Sequence, residues 1–150
     1  MKVVIQRVSQ ASVTINHAKV AEIAKGLLIL VGISPQDSEE DIEWLCQKII
    51  KLRIFGDANN LMNLSIKDVD GDIIVVSQFT LHALTKKGNR PSYIMAARPE
   101  QAIPLYNTFK NRLTALLGKE VQSGEFGADM KVALTNDGPV TIIIDSHNKE

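Results

Sequence analysis

The chain has 150 residues, with 17 Lys plus Arg against 17 Asp plus Glu, and it is 45% hydrophobic and 23% charged. That size and composition describe one soluble globular domain over residues 1–150 with a single sizeable core. They argue against a protein that coats nucleic acid non-specifically, because phosphate affinity scales with basic contacts. The single cysteine excludes an internal disulfide and fits a reducing, cytoplasmic compartment. The longest apolar run, Gly26 to Ile33, is too short to span a membrane. Met1-Lys2-Val3-Val4-Ile5 enters a strand directly and does not resemble a signal peptide.

In chain order, Lys2–Ser9 and Ala11–Asn16 are expected to be strands. In the second, Ser12, Thr14 and Asn16 alternate with Val13 and Ile15, which leaves one face wet. A turn at Asn16-His17-Ala18 leads to a return strand over Val20–Ala24. The continuously apolar Gly26–Ile33 predicts a central strand covered on both faces. Ser38 can cap a helix, with Asp41 three residues on and acids throughout the first turn. Ile42, Leu45, Cys46, Ile49 and Ile50 then form one apolar stripe at helical spacing. Cys46 lies on that stripe and reads as a core thiol, while Trp44 covers its edge.

Short strands at Leu52–Phe55 and Leu61–Ser65 flank the turn Gly56-Asp57-Ala58-Asn59-Asn60. Asp70-Gly71-Asp72 introduces a buried strand, Ile73 to Val76, that runs into the neutral polar residues Ser77, Gln78 and Thr80. His82–Ser92 reads as a polar loop. A helix carrying Ala102, Leu105, Tyr106, Phe109, Leu113 and Leu116 starts either at Pro99, bending at Pro104, or near Pro104 itself. Gly118 is its expected C-cap. Val121–Met130 and Lys131–Asp145 read as strands, with Asn136-Asp137-Gly138-Pro139 a turn within the second. Ser146–Glu150 is expected to fray. The class is α+β: a mostly antiparallel, barrel-like β-sheet with two main helices packed against it.

Candidate chemistry concentrates in few places. Thr80 could act as a nucleophile only with an activating base. His82 would share its face in a continuous strand, but His17, His82 and His147 form no evident triad with an acid, and His82 reads as a solvent-facing loop residue. Histidines and acids are scattered without metal-ligand spacing, and Gly124-Glu125-Phe126-Gly127 lacks the pattern of a phosphate loop. Lys86, Lys87 and Arg90, with Arg98 nearby in sequence, could touch RNA phosphates or simply solvate a loop.

SQFTL at Ser77–Leu81 and NDGPVT at Asn136–Thr141 resemble the two signature motifs of the D-aminoacyl-tRNA deacylases. Gln6-Arg7-Val8, Ala11-Ser12-Val13, Gly26-Leu27-Leu28, Arg53-Ile54-Phe55, Met62-Asn63, Lys87-Gly88-Asn89-Arg90-Pro91-Ser92 and Gly124-Glu125-Phe126 follow in the family's order. One departure is Asn60, where the family usually has a glycine; asparagine is the best non-glycine substitute at a positive backbone angle.

The resemblance implies hydrolysis of the ester between a D-amino acid and the terminal adenosine of tRNA, without metal or organic cofactor. Ser77, Gln78, Phe79 and Thr80 would form the catalytic segment. The Phe79 and Thr80 N–H groups would stabilise the developing oxyanion, and the adenosine's own 2′-hydroxyl would assist attack by water. The resemblance also implies a homodimer in which a cis Gly138-Pro139 pair, supported by Arg7, enters the partner subunit's pocket. Its carbonyls would fill the space an L side chain needs, so glycyl-tRNA would also be cleaved. Two rivals remain open from the residues alone: a non-catalytic RNA-binding module, and a hydrolase for another small ester or amide.

Overall fold

The computed structural model describes residues 1–150. Its elements are β1 (Lys2–Ile15), β2 (Ala18–Ile23), β3 (Gly26–Gly32), α1 (Glu39–Lys51), β4 (Phe55–Gly56), β5 (Met62–Leu64), β6 (Asp72–Ser77), a 3-10 turn (Phe79–His82), α2 (Pro99–Leu117), β7 (Gln122–Ser123) and β8 (Lys131–Asp145).

β1 organises the sheet. Its first half pairs antiparallel with β3 and its second half with β2, while β8 runs antiparallel along its other edge. The expected antiparallel, barrel-like class holds, with one addition: β3 pairs with β6, and β6 with β7, in parallel. Parallel neighbours need long crossovers. The chain supplies them as α1 with the small β4–β5 hairpin, and then as α2. A side chain joins the sheet's two ends. The Glu22 N–H donates to Gln122 Oε1 at 2.8 Å, and Gln122 Nε2 donates to the Glu22 carbonyl at 2.9 Å. The Gln122 amide thus stands in for a peptide group across the seam between β2 and β7.

Two apolar clusters fill the fold. β3 and β6 face both, because successive side chains alternate across a strand. Leu27, Ile29, Val31, Ile73 and Val75 pack toward the helices, with Ile42, Leu45, Ile49, Tyr106, Phe109 and Leu113 opposite. Leu28, Ile74 and Val76 point the other way, into a smaller cluster with Val8, Val13 and Ile23. The whole α1 stripe is buried, as its spacing predicts. Cys46 is among those residues, and burial pushes its thiol up to about 12, so it is a core residue and not a nucleophile. At the head of α1, the Asp41 carboxylate accepts from the Ser38 N–H at 2.8 Å, tying the first turn together as the sequence suggests.

Several expectations are corrected. Lys2–Ser9 and Ala11–Asn16 are one strand, not two, with register shifts near Val8 against β8 and between Val13 and Thr14 against β2. Val121–Met130 keeps just Gln122–Ser123 as strand, and Leu52–Phe55 contributes only its last residue. α2 begins at Pro99 and continues through Pro104; a proline within the first turns forfeits one internal hydrogen bond while packing holds the remainder. Gly118 caps it in the left-handed region, and Asn60 adopts a φ of +59°. Residues 146–150 do not simply fray. The Ser146 N–H donates to the Met1 carbonyl at 2.9 Å, the Met1 amino group donates to Ser146 Oγ and to Asp37, and His147 Nε2 lies 2.7 Å from Asp37 Oδ1. Composition could not show this clamp, because it joins residues from opposite ends of the chain.

Candidate active site

β3 and β6 are parallel, so both finish at the same end of the sheet, with Val31 level with Ser77. The ladder continues one step, the Gln78 N–H donating to the Val31 carbonyl at 2.8 Å. The chain then leaves the sheet and folds into the 3-10 turn, closed by Leu81 N–H to Gln78 O at 3.2 Å and Ala83 N–H to Thr80 O at 3.0 Å. The first N–H groups of such a turn have no acceptor within it. The Phe79 and Thr80 N–H groups donate to no other backbone carbonyl of the chain. Gln78 Nε2 donates to Thr80 Oγ at 2.5 Å, which fixes both side chains. Phe79 is 53% exposed and meets Tyr93 edge-to-face, with centroids 5.0 Å apart.

Two expectations about this segment fail together. Thr80 and His82 do not share a strand face, because the strand ends at Ser77. His82 is also not solvent-facing: it is buried, and its Nε2 has no hydrogen-bond partner in the protein. The turn rolls the ring inward over the end of β3, and nothing in its loop-like sequence shows that. The Thr80 hydroxyl is instead bonded to Gln78, and His82 is not placed as the base that a threonine nucleophile would need.

The second motif is not a hairpin turn. β8 is one strand of 15 residues that pairs with β1 both before and after Gly138-Pro139. Gln6 pairs with Thr141 and Val8 with Asn136, so two steps along β1 match five along β8 and three residues loop out. One distant side chain, Arg7, and one local one, Asn136, hold this loop. Arg7 lies on the same strand face as Val3 and Ile5. Its Nε donates to the Asp137 carbonyl at 3.1 Å, and its Nη1 to the Ile54 carbonyl at 2.6 Å. Asn136 closes the base of the loop, with Nδ2 donating to the Arg7 and Val140 carbonyls at 3.0 Å each. The Gly138–Pro139 peptide is cis, and Gly138 has a φ of +124°. A Cβ on Gly138 would meet the tip of the Arg7 side chain at 2.8 Å, but it is the backbone angle that calls for glycine. A cleft of about 530 Å³ opens between this loop and the β4–β5 hairpin, bordered by Lys25, Asn60 and Met62.

Within one chain the two motifs do not meet. Ser77 is level with Val3 of β1 through Val31, whereas the loop sits at Arg7. Four residues of strand separate them, roughly 13 Å. Lys86, Lys87 and Arg90 are exposed, in a loop closed at its neck by the Leu84–Ser92 bridge, and none of them forms an ion pair. The structure gathers one group that the sequence scatters: Asp37, Asp41 and His147 offer ligand atoms within 4.8 Å of one another. Their contacts with the amino group, Ser34 and Ser38 account for them as part of the terminal clamp. Sequence reasoning misses the loop's supports at Asn136 and the Ile54 carbonyl. The only hint was an asparagine at the foot of a glycine-proline pair.

Unpaired backbone donors beside an uncharged polar turn suit a hydrolase that polarises the carbonyl of an ester. Residues 4–145 match the family described as D-Tyr-tRNA(Tyr) deacylase. The D-aminoacyl-tRNA deacylase of Flavobacterium psychrophilum is 72% identical over 150 residues, covering 100% of both chains. That of Bacteroides fragilis is 68% identical over 151 residues, again covering 100% of each. Among solved structures, one named c-Myc DNA unwinding element binding protein is 39% identical, with a TM-score of 0.91 over 97% of this chain and 98% of that one. A structure described as a probable eukaryotic D-amino acid tRNA deacylase is 18% identical and shares the fold, with a TM-score of 0.81 over 95% and 97% of the two chains. The chain belongs to the D-aminoacyl-tRNA deacylase family. No helix is long and apolar enough to cross a membrane.

Proposed function

We propose that the chain hydrolyses the ester joining a D-amino acid to the terminal adenosine of tRNA, in the cytoplasm, as a homodimer. The observation that carries the mechanism is the pair of unpartnered N–H groups at Phe79 and Thr80. They would receive the carbonyl oxygen as water adds to its carbon. The bond from that carbon to the ribose oxygen then breaks, and the ribose oxygen takes up a proton. Thr80, held by Gln78, orients water or substrate, as does Ser77. The adenosine's 2′-hydroxyl assists the attack, and the chemistry calls on no metal or organic cofactor.

Selection against L substrates is assigned to the Gly138 and Pro139 carbonyls of the partner subunit. The roughly 13 Å between the motifs along the strands of one chain supports this arrangement, since each motif would find its complement only across an interface. Lys86, Lys87 and Arg90 would lie along the tRNA backbone. Exclusion by rigid backbone asks nothing of a side chain that is not there, so glycyl-tRNA should also be a substrate. The test compares D-alanyl-, glycyl- and L-alanyl-tRNA at equal enzyme. Cleavage of the first two and sparing of the third is expected. If D-alanyl-tRNA is cleaved while glycyl-tRNA is left intact, the pocket recognises a D side chain positively and exclusion is the wrong mechanism. A second reading, nucleic-acid binding without hydrolysis, draws on the 39%-identical relative named for binding DNA; tRNA binding with no release of amino acid would favour it.

A further inference from the structure

We propose that Gly32, at the end of β3, is a positioning residue for the reaction. Its missing side chain is the seat on which the Ser77–His82 segment rests. The inference depends on reading Ser77–Thr80 as the catalytic segment. A Cβ on Gly32 would lie 2.9 Å from the Gln78 carbonyl oxygen, 3.0 Å from Leu81 Cβ and 3.1 Å from His82 Cδ2. All three atoms belong to the turn, and two of them are backbone or directly attached to it, so they yield only if the turn itself moves. Gly32 does not have a positive φ; the requirement is for space.

His82 completes the seat. Its buried ring with an unpartnered Nε2 is an unfavourable placement for a polar side chain. Close packing against Gly32 accounts for why the turn keeps the ring there. Besides its internal 3-10 bonds, the turn is tied to the sheet by one backbone bond, Gln78 N–H to Val31 O, and closed by the bonds at Leu81 and Ala83 and by Gln78 Nε2 to Thr80 Oγ. Because the turn touches Gly32 at Gln78, Leu81 and His82, the direction of the Phe79 and Thr80 N–H groups depends on what lies beneath them. Filling Gly32 should tilt both donors away from the substrate carbonyl while leaving distant tRNA contacts in place.

The experiment measures kcat and KM on D-alanyl-tRNA for Gly32→Ala, His82→Ala and Gln78→Ala in the full chain, with thermal unfolding as the folding check. Misplacement of reacting groups by about an ångström can cost on the order of 10²-fold in rate. Gly32→Ala is expected to lose kcat on that scale with KM changed by no more than about twofold, the split that marks groups acting only in the transition state. His82→Ala, which frees the turn instead of pushing it, should lose less kcat with the same split; it carries the test if Gly32→Ala does not fold. Wild-type kcat in both variants, or a loss confined to KM, overturns the proposal. If Gln78→Ala is impaired in that case, only the role of Gly32 falls. If Gln78→Ala is also fully active, the catalytic reading of the segment falls with it.

Discussion

The two motif regions are held by opposite means. The Ser77–His82 segment rests on close packing, on a strand end with no side chain in the way, and its side-chain hydrogen bond, Gln78 to Thr80, lies within the segment. The Gly138-Pro139 loop stands away from the sheet, exposed, and is held by polar side chains, Arg7 from far off in sequence and Asn136 from its own foot. As the proposed catalytic segment, the turn would have to present its donors in one direction, which packing from below provides. As the proposed barrier, the loop would need its carbonyls fixed while they reach outward, which Arg7 and Asn136 provide. One region is therefore sensitive to added volume and the other to lost hydrogen bonds.

The largest expected effect separates the two. Arg7→Ala removes a charged donor from two backbone carbonyls; such bonds contribute about 1.5–3 kcal/mol, so chemical denaturation should show a loss of that order. Discrimination should relax as well, with cleavage of L-alanyl-tRNA relative to D-alanyl-tRNA rising about tenfold, the rate equivalent of ~1.4 kcal/mol. Unchanged discrimination in a folded Arg7→Ala protein would separate the loop's support from its barrier role. Thr80→Ala should act only at the other region. Losing one positioning hydrogen bond of about 1 kcal/mol should lower kcat five- to tenfold, roughly, and leave the D-to-L ratio intact. An acyl-threonine adduct trapped in the wild type would instead make Thr80 a nucleophile.

Charge reversal of Lys86, Lys87 and Arg90 probes a surface belonging to neither region. It should weaken tRNA binding and flatten its salt dependence, by about 0.9 in the log–log slope for each phosphate that is no longer neutralised. An unaltered slope would return that loop to ordinary solvent.

The smallest effect is one of pH, and it falls at the end of the sheet where β3 and β6 finish. Burial alone would raise the Asp37 carboxyl. The hydrogen bonds from the amino terminus, the Ser34 N–H and His147 together outweigh that and hold it below its ordinary 3.8. A carboxyl depressed by folding contributes stability that is fully present above its unfolded value and is lost as pH falls through the folded one. Unfolding followed below about pH 4 should thus lose stability more steeply in the wild type than in Asp37→Asn. Equal slopes would remove Asp37 from the acid response.

Much of this was legible in the residues. The α1 stripe, the buried β3 and the two motifs carry their signals locally, in spacing and in short ordered sets. Arg7 as a support was implied by resemblance, and the structure gives that support its acceptors. What stayed hidden depends on contacts between distant positions. His82 lies buried against Gly32, where a Cβ would come within 3.1 Å of its ring. Asn136 matters because β8 remains a single strand around the loop. Residues 146–150 are tied down because Met1 and Asp37 lie beside them. Polar residues near glycines look alike in sequence whether they end in water or beneath a turn.

The antiparallel run of β1 against β8 also sets how the protein answers a mechanical load. Lys2 is paired with Asp145, so handles on these two residues pull at the same end of the ladder. Its rungs lie across the strands and would open in succession, like a zipper, instead of shearing all at once. Pulling would first part the strands as far as Gln6 and Thr141, where the looped-out residues wait as slack. A single-molecule trace should then show a low, steady force, interrupted at the point where Arg7 and Asn136 let go.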